Sequence, residues 1–108
     1  MPASPEQTLL AHTVFFTLKD RSDATREALV LACHKYLSDH PGTVYFSAGP
    51  RATAYQRPVN DTEFDVALVL VFATDEDHQR YQSSERHQQF LDEQLENCSQ
   101  VRVFDALA

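Results

Sequence analysis

The sequence predicts an α+β domain, a four-stranded antiparallel sheet with helices on one face and a second subunit on the other. Three observations carry this. Val66 to Phe72 is wholly apolar and rich in β-branched residues, so it reads as a central strand apolar on both faces. Leu9 to Leu18 alternates as a first strand, with Leu10, His12, Val14, Phe16 and Leu18 on one side and Ala11, Thr13, Phe15 and Thr17 on the other. Finally, the helical segments suffice to cover only one face of such a sheet, which leaves Thr13, Phe15, Val69 and Val71 for a partner.

The elements follow in chain order. Residues 1–8 read as a polar, proline-containing flexible arm, and 9–106 as a single domain. Ser22 is placed to cap a helix from Asp23 to about Asp39, in which Leu29, Cys33, Tyr36, Leu37 and His40 fall at spacings of three and four. His40-Pro41-Gly42 stops it. A short strand, Val44 to Ala48, ends at Gly49-Pro50, and the aperiodic stretch from Arg51 to Glu63 is a long hairpin connection. After the central strand, Thr74 caps a short helix with three acidic residues in its first turn. Ser84 caps another helix running to about Asn97, with His87, Phe90, Leu91 and Leu95 on one face. Val101 to Phe104 closes the sheet. The order β-α-β-β-α-β is the ferredoxin-like plan.

Composition narrows the function. The 108 residues carry a formal charge of −7 with no basic stripe, which argues against a phosphate-rich partner or an anionic membrane surface. No apolar run approaches the roughly 20 residues of a membrane span. Met1-Pro-Ala-Ser-Pro-Glu-Gln has neither the basic nor the apolar region of a signal peptide. Cys33 and Cys98 lack metal-site or CxxC spacing, so reduced thiols in a cytoplasmic setting are expected.

Several of these residues together resemble the Dabb family, the stress-responsive dimeric α/β-barrel domains. The first strand His12-Thr-Val-Phe-Phe-Thr-Leu-Lys19 is similar to that family's opening. Pro41, Gly49, Phe72 before an acidic helix start, and the closing Val103-Phe104-Asp105 fall in matching places. The family motif His-Pro-x-His-x-x-Phe stands here as Ser84-Glu-Arg-His87-Gln-Gln-Phe90, with the second histidine and the phenylalanine kept and the first histidine and proline replaced. The resemblance covers about Leu10 to Asp105 and implies a homodimer in which two sheets face each other as a barrel.

In cyclase-like relatives an acid/base pair falls on His12 and His87, and a tyrosine on Tyr81, while a first-helix tyrosine is replaced here by Cys33. A neutral imidazole can take a proton from a carbon between two carbonyls, and a tyrosine hydroxyl can hold the oxyanion. The expected pocket wall is Val14, Phe16, Cys33, Leu68, Leu70 and Phe90. A histidine on an apolar strand face is more often structural than catalytic, and Tyr81 serves equally well as a core ring. His34, His40 and His78 read as lying on or near exposed helix faces, away from the chemistry. A metal on His12 and His87 lacks a third protein ligand, so neither metal nor cofactor is expected. The leading reading is a stress-responsive barrel protein that binds a small apolar or polyketide-like molecule, with cofactor-independent lyase or cyclase chemistry. The alternatives are a non-catalytic stress-response or assembly protein and a cofactorless monooxygenase on the same barrel.

Overall fold

The computed structural model describes residues 8–108. The expected N-terminal arm, residues 1–8, lies outside them except for Thr8. The chain runs β1 (Leu10–Leu18), α1 (Asp23–Leu37), β2 (Thr43–Pro50), β3 (Val66–Phe72), α2 (Asp75–Gln82), α3 (Glu85–Gln94), a 3₁₀ turn (Leu95–Asn97) and β4 (Cys98–Leu107). The sheet order is β2-β3-β1-β4 with every neighbour antiparallel, the ferredoxin-like topology expected from the sequence.

Alternation decides what is buried. Leu10, His12, Val14, Phe16 and Leu18 of β1 and Val66, Leu68, Leu70 and Phe72 of β3 are all buried under the helices. Ala11, Thr13, Phe15, Ala67, Val69 and Val71 are only half-buried on the opposite face. There Phe15 meets Phe64 edge-on at 4.9 Å and Phe104 at 5.8 Å. The anticipated apolar second face is therefore present on the single chain, and Phe104 remains 53% exposed.

Caps fix the helix starts. The side chains of Ser22, Thr74 and Ser84 accept hydrogen bonds from the backbone N–H of Thr25, Asp77 and His87. Helix α1 stops at Leu37, two residues sooner than its sequence pattern suggests, because Asp39 already takes a positive φ of 61°. Gly42, at φ 83°, then turns the chain into β2, and its carbonyl accepts from Ala73 N–H at 2.8 Å.

The largest departure is β4. The sequence suggests Val101 to Phe104, whereas the strand spans Cys98–Leu107. Its polar residues do not end it, because β4 is an edge strand that pairs along the whole of β1, from Leu18 opposite Cys98 to Leu10 opposite Leu107. This register sets Asp105 directly opposite His12.

A buried carboxylate ties the other end of β1 to the helices. Asp65 accepts from Leu18 N–H at 2.9 Å, from Arg21 Nε at 3.1 Å and from Arg26 Nη1 at 3.3 Å. Burial pushes its pKa up, but the Leu18 N–H and the two guanidinium groups outweigh it and hold the carboxyl below its usual range.

Candidate functional site

Between the helices and the β1/β4 side of the sheet lies a cavity of about 240 Å³. Its walls include His12, Val14 and Phe16 from β1, Leu68 from β3, Tyr81 from α2, and His87 and Phe90 from α3, with Val101 and Val103 of β4 along the rim. The volume exceeds the roughly 150 Å³ that admits benzene to an apolar protein cavity. Other hollows among the described residues are lined by charged surface groups, such as the one formed by Arg21, Arg26, Arg51 and Asp65.

Most of the residues singled out from the sequence meet here. Alternation of β1 aims His12, Val14 and Phe16 at one side, the Ser84 cap places His87 in the first turn of α3, and Tyr81 stands beside both imidazoles. The Tyr81 ring centre lies 5.9 Å from that of His12 and 4.9 Å from that of His87, each edge-on. Two expected wall residues are elsewhere. Cys33 and Leu70 are fully buried in the general core and do not line the cavity, because Tyr81 and Leu37 lie on the cavity side.

Two histidine assignments need correction. His78, read as an exposed helix residue, is buried with its ring 4.9 Å from that of His12. The cause is helical phase, since position 78 lies three residues before Tyr81 on the inward side of α2. His40 is also buried, hydrogen-bonded to the Tyr36 carbonyl at 2.7 Å and edge-on to Tyr81 at 5.0 Å. His34 is exposed, as expected.

The immediate partner of His12 is thus not His87. Its Nδ1 is 2.5 Å from Asp105 Oδ1 and 3.3 Å from His78 Nε2. His78 Nδ1 is 3.3 Å from Asp75 Oδ1, and its Nε2 is 2.8 Å from the Gln82 amide nitrogen. One set of protons satisfies every contact. His12 donates from Nδ1 to Asp105, with His78 Nε2 as a longer second acceptor, His78 donates from Nδ1 to Asp75, and the Gln82 amide donates to His78 Nε2. His12 Nε2 then keeps its lone pair, and among the described residues no group hydrogen-bonds it.

Electrostatics agree with that protonation. Burial lowers the His12 pKa below the usual histidine value even though Asp105 pulls the other way. Burial likewise lowers that of His87, with smaller contributions from His12 and His40. The Tyr81 hydroxyl is pushed up by burial and stays protonated. The Cys33 thiol is pushed up to about 12, by burial first and by the Cys98 thiol to a smaller degree.

Sequence reasoning missed Asp105 and His78. The signal for Asp105 was an acidic residue in phase with Val101 and Val103 on the helix side of the last strand. For His78 it was the spacing of 78, 81 and 82 counted from the Thr74 cap.

An antiparallel βαββαβ sheet with an imidazole-lined cavity under its helices defines a ferredoxin-like α/β-barrel subunit. The family model for Dabb, the stress responsive A/B barrel domain, matches residues 10–107, and the chain belongs to that family. No curated protein matches the sequence. Among solved structures, the chain is similar to a Dabb family protein with a ferredoxin-like fold from Mesorhizobium loti, at TM-score 0.77 and 22% identity, covering 94% of this chain and 98% of that one. It is similar to a dimeric ferredoxin-like protein of unknown function from Thermobifida fusca, at TM-score 0.78 and 14% identity over 99% and 97% of the two chains. A third is the hydroxynitrile lyase from Passiflora edulis, at TM-score 0.75 and 16% identity over 94% of each chain. These likenesses establish the fold. Among the described residues no helix is long and apolar enough to cross a membrane.

Proposed function

We propose that this Dabb domain is a homodimeric, cofactor-independent proton-transfer catalyst of the lyase or cyclase class, acting on a small, largely apolar carbonyl compound held in the helix–sheet cavity. The observation that carries the reading is His12, which is 4% exposed, fixed through Nδ1 by Asp105, and lines the cavity with Nε2 unpartnered among the described residues. A carboxylate bound to a buried imidazole in this way fixes the tautomer and holds the ring for proton abstraction at the other nitrogen.

In this mechanism His12 Nε2 takes a proton from the carbon beside the substrate carbonyl, and the electron pair moves into the carbonyl to give an enolate. Asp105 stabilises the resulting imidazolium without accepting its proton. The Tyr81 hydroxyl hydrogen-bonds the developing oxyanion. The His12 imidazolium then returns its proton to the carbon or oxygen that carries the electron pair, which restores neutral His12, while the His87 ring hydrogen-bonds the same group and orients it. Protons and electrons balance within the substrate, so no oxidant is consumed. The apolar wall of Val14, Phe16, Leu68 and Phe90 supplies binding energy and keeps water out. The likeness in fold to a hydroxynitrile lyase supports the lyase reading. The dimeric Thermobifida fusca structure and the half-buried apolar sheet face support pairing of two sheets. Two free cysteines agree with a reducing, cytoplasmic setting.

The test is a panel of poly-β-keto thioesters and of acetophenones paired with aryl aldehydes, followed by formation of cyclised or aldol product. With an active substrate, His12→Ala should lower kcat by about 10²–10⁴. His87→Ala should also reduce it, and the two losses should fall short of additive. Turnover unaffected by His12→Ala refutes the assignment. So does an inactive panel together with binding of acetophenone that is unchanged in the His12→Ala, His87→Ala double variant. Oxygen uptake with a quinol would instead point to the monooxygenase alternative.

A further inference from the structure

We infer that His12 Nδ1, His78 Nε2 and Asp105 Oδ1 form a site for one divalent first-row transition-metal ion of the zinc class. This does not rest on the proton-transfer reading and would hold for a non-catalytic protein. The three atoms come from β1, α2 and β4 and lie within 4.8 Å of one another. Tetrahedral zinc with bonds near 2.0–2.1 Å sets its ligand atoms roughly 3.3 Å apart. The His12–His78 separation is 3.3 Å and the His78–Asp105 separation is 3.8 Å, both close to that edge. The His12–Asp105 separation, 2.5 Å, is a hydrogen-bond length and must widen by roughly 0.8 Å to reach the tetrahedral edge. Asp105 has the freedom to do so, since its side chain is 40% exposed on an edge strand.

A second, independent observation points the same way. Asp75 Oδ1 receives the Nδ1 proton of His78, which leaves Nε2, 3.3 Å from His12 Nδ1 and accepting from the Gln82 amide, as the ring's lone-pair nitrogen. A carboxylate on the far nitrogen of a histidine is the arrangement that orients imidazole ligands and raises their basicity in metal sites. Two imidazoles with one carboxylate suit zinc, cobalt or nickel, whereas magnesium and calcium prefer all-oxygen shells. Three protein ligands leave a fourth position open. The exposed Asp105 edge provides the entry path, and the Gln82 amide on His78 Nε2 gives way as the ion enters.

Metal binding has a definite effect on His12. An ion at Nδ1 displaces the proton from that nitrogen, so the ring carries its hydrogen on Nε2. The atom facing the cavity then changes from proton acceptor to donor. The loaded protein therefore presents a different cavity from the metal-free one.

The experiment uses the full chain, stripped with chelator and titrated with Co²⁺ and Zn²⁺ in the absence of any substrate. Expected are one equivalent per chain by calorimetry and intense visible absorption from tetrahedral cobalt. Asp105→Asn should weaken binding at least tenfold and lower that absorption. Asp75→Asn should weaken it by about 10–100-fold without changing the stoichiometry. His34→Ala, on the exposed face of α1, should leave it unchanged. His78→Ala should abolish binding; circular dichroism confirms that each variant is folded, and Asp105→Asn decides the matter if His78→Ala is not. Absence of saturable binding overturns the site, as does binding equally tight in the Asp105→Asn and unmodified proteins.

Discussion

Phe104→Ala tests the assembly directly. Phe104 sits on the sheet face away from the helices, opposite Thr13 on β1, with its ring 5.8 Å from Phe15 and 53% of its surface exposed. Fully burying a phenylalanine contributes about 1.5–3 kcal/mol, so covering the exposed half in a dimer leaves roughly 0.8–1.5 kcal/mol per copy to be gained. An isologous interface uses the residue twice, giving roughly 1.5–3 kcal/mol per dimer. At about 1.4 kcal/mol per tenfold, Phe104→Ala should raise the dimer Kd by about 10–100-fold. Sedimentation equilibrium over a concentration series measures this. Val59→Ala, at an exposed position in the β2–β3 connection, serves as the control. A folded monomer of the unmodified protein at micromolar concentration, or an unchanged Kd in Phe104→Ala, would refute the reasoning.

Two further substitutions test what holds the site in place. Gly42→Ala should destabilise the protein by more than about 1 kcal/mol, because φ is 83° and the new Cβ would fall 2.1 Å from Asp77 Cγ. The displaced Asp77 would disturb the start of α2, so near-ultraviolet signal from Tyr81 should change along with the melting temperature. Gly49→Ala, where an added Cβ meets nothing within 4 Å, should be close to neutral. Asp65→Asn should cost about 1–3 kcal/mol in urea unfolding at neutral pH, since it removes charged hydrogen bonds to partners that are themselves part-exposed. The folded carboxyl titrates below its ordinary 3.8, so its contribution is complete above that pH and is lost as pH falls through the folded value. The gap between Asp65→Asn and the unmodified protein should therefore close in acid, and a gap that persists at the lowest folded pH would contradict the charge-based account.

The sheet was legible because two strands advertise their faces. In β1 and β3 the alternation of side chains maps directly onto burial, and it also foretold the apolar back face. The edge strand was harder. Ser99, Gln100 and Asp105 read as lying beyond the ends of a strand, whereas an edge strand tolerates them because solvent reaches one side. That misreading hid Asp105 from the site. Its closeness to His12 depends on pairing between positions 93 apart in sequence, which local pattern does not encode. His78 was obscured differently, in a helix of eight residues too short for apolar periodicity to show its phase. By contrast, His12 and His87 lie on elements with clear faces or caps, Tyr81 came with the family resemblance, and the three do share one cavity.

Cys33 turns the core into its own recorder. Its side chain is 0% exposed and its thiol is pushed up to about 12, so at neutral pH the native protein offers a reagent neither access nor thiolate. Only conformations in which α1 has parted from the sheet can be alkylated there. Cys98, half-buried at the start of the edge strand, reports fraying of that strand instead. A pulse of thiol reagent followed by mass spectrometry thus reads two depths of opening from one unlabelled chain, and ligand or metal that tightens the cavity would slow the two clocks to different extents.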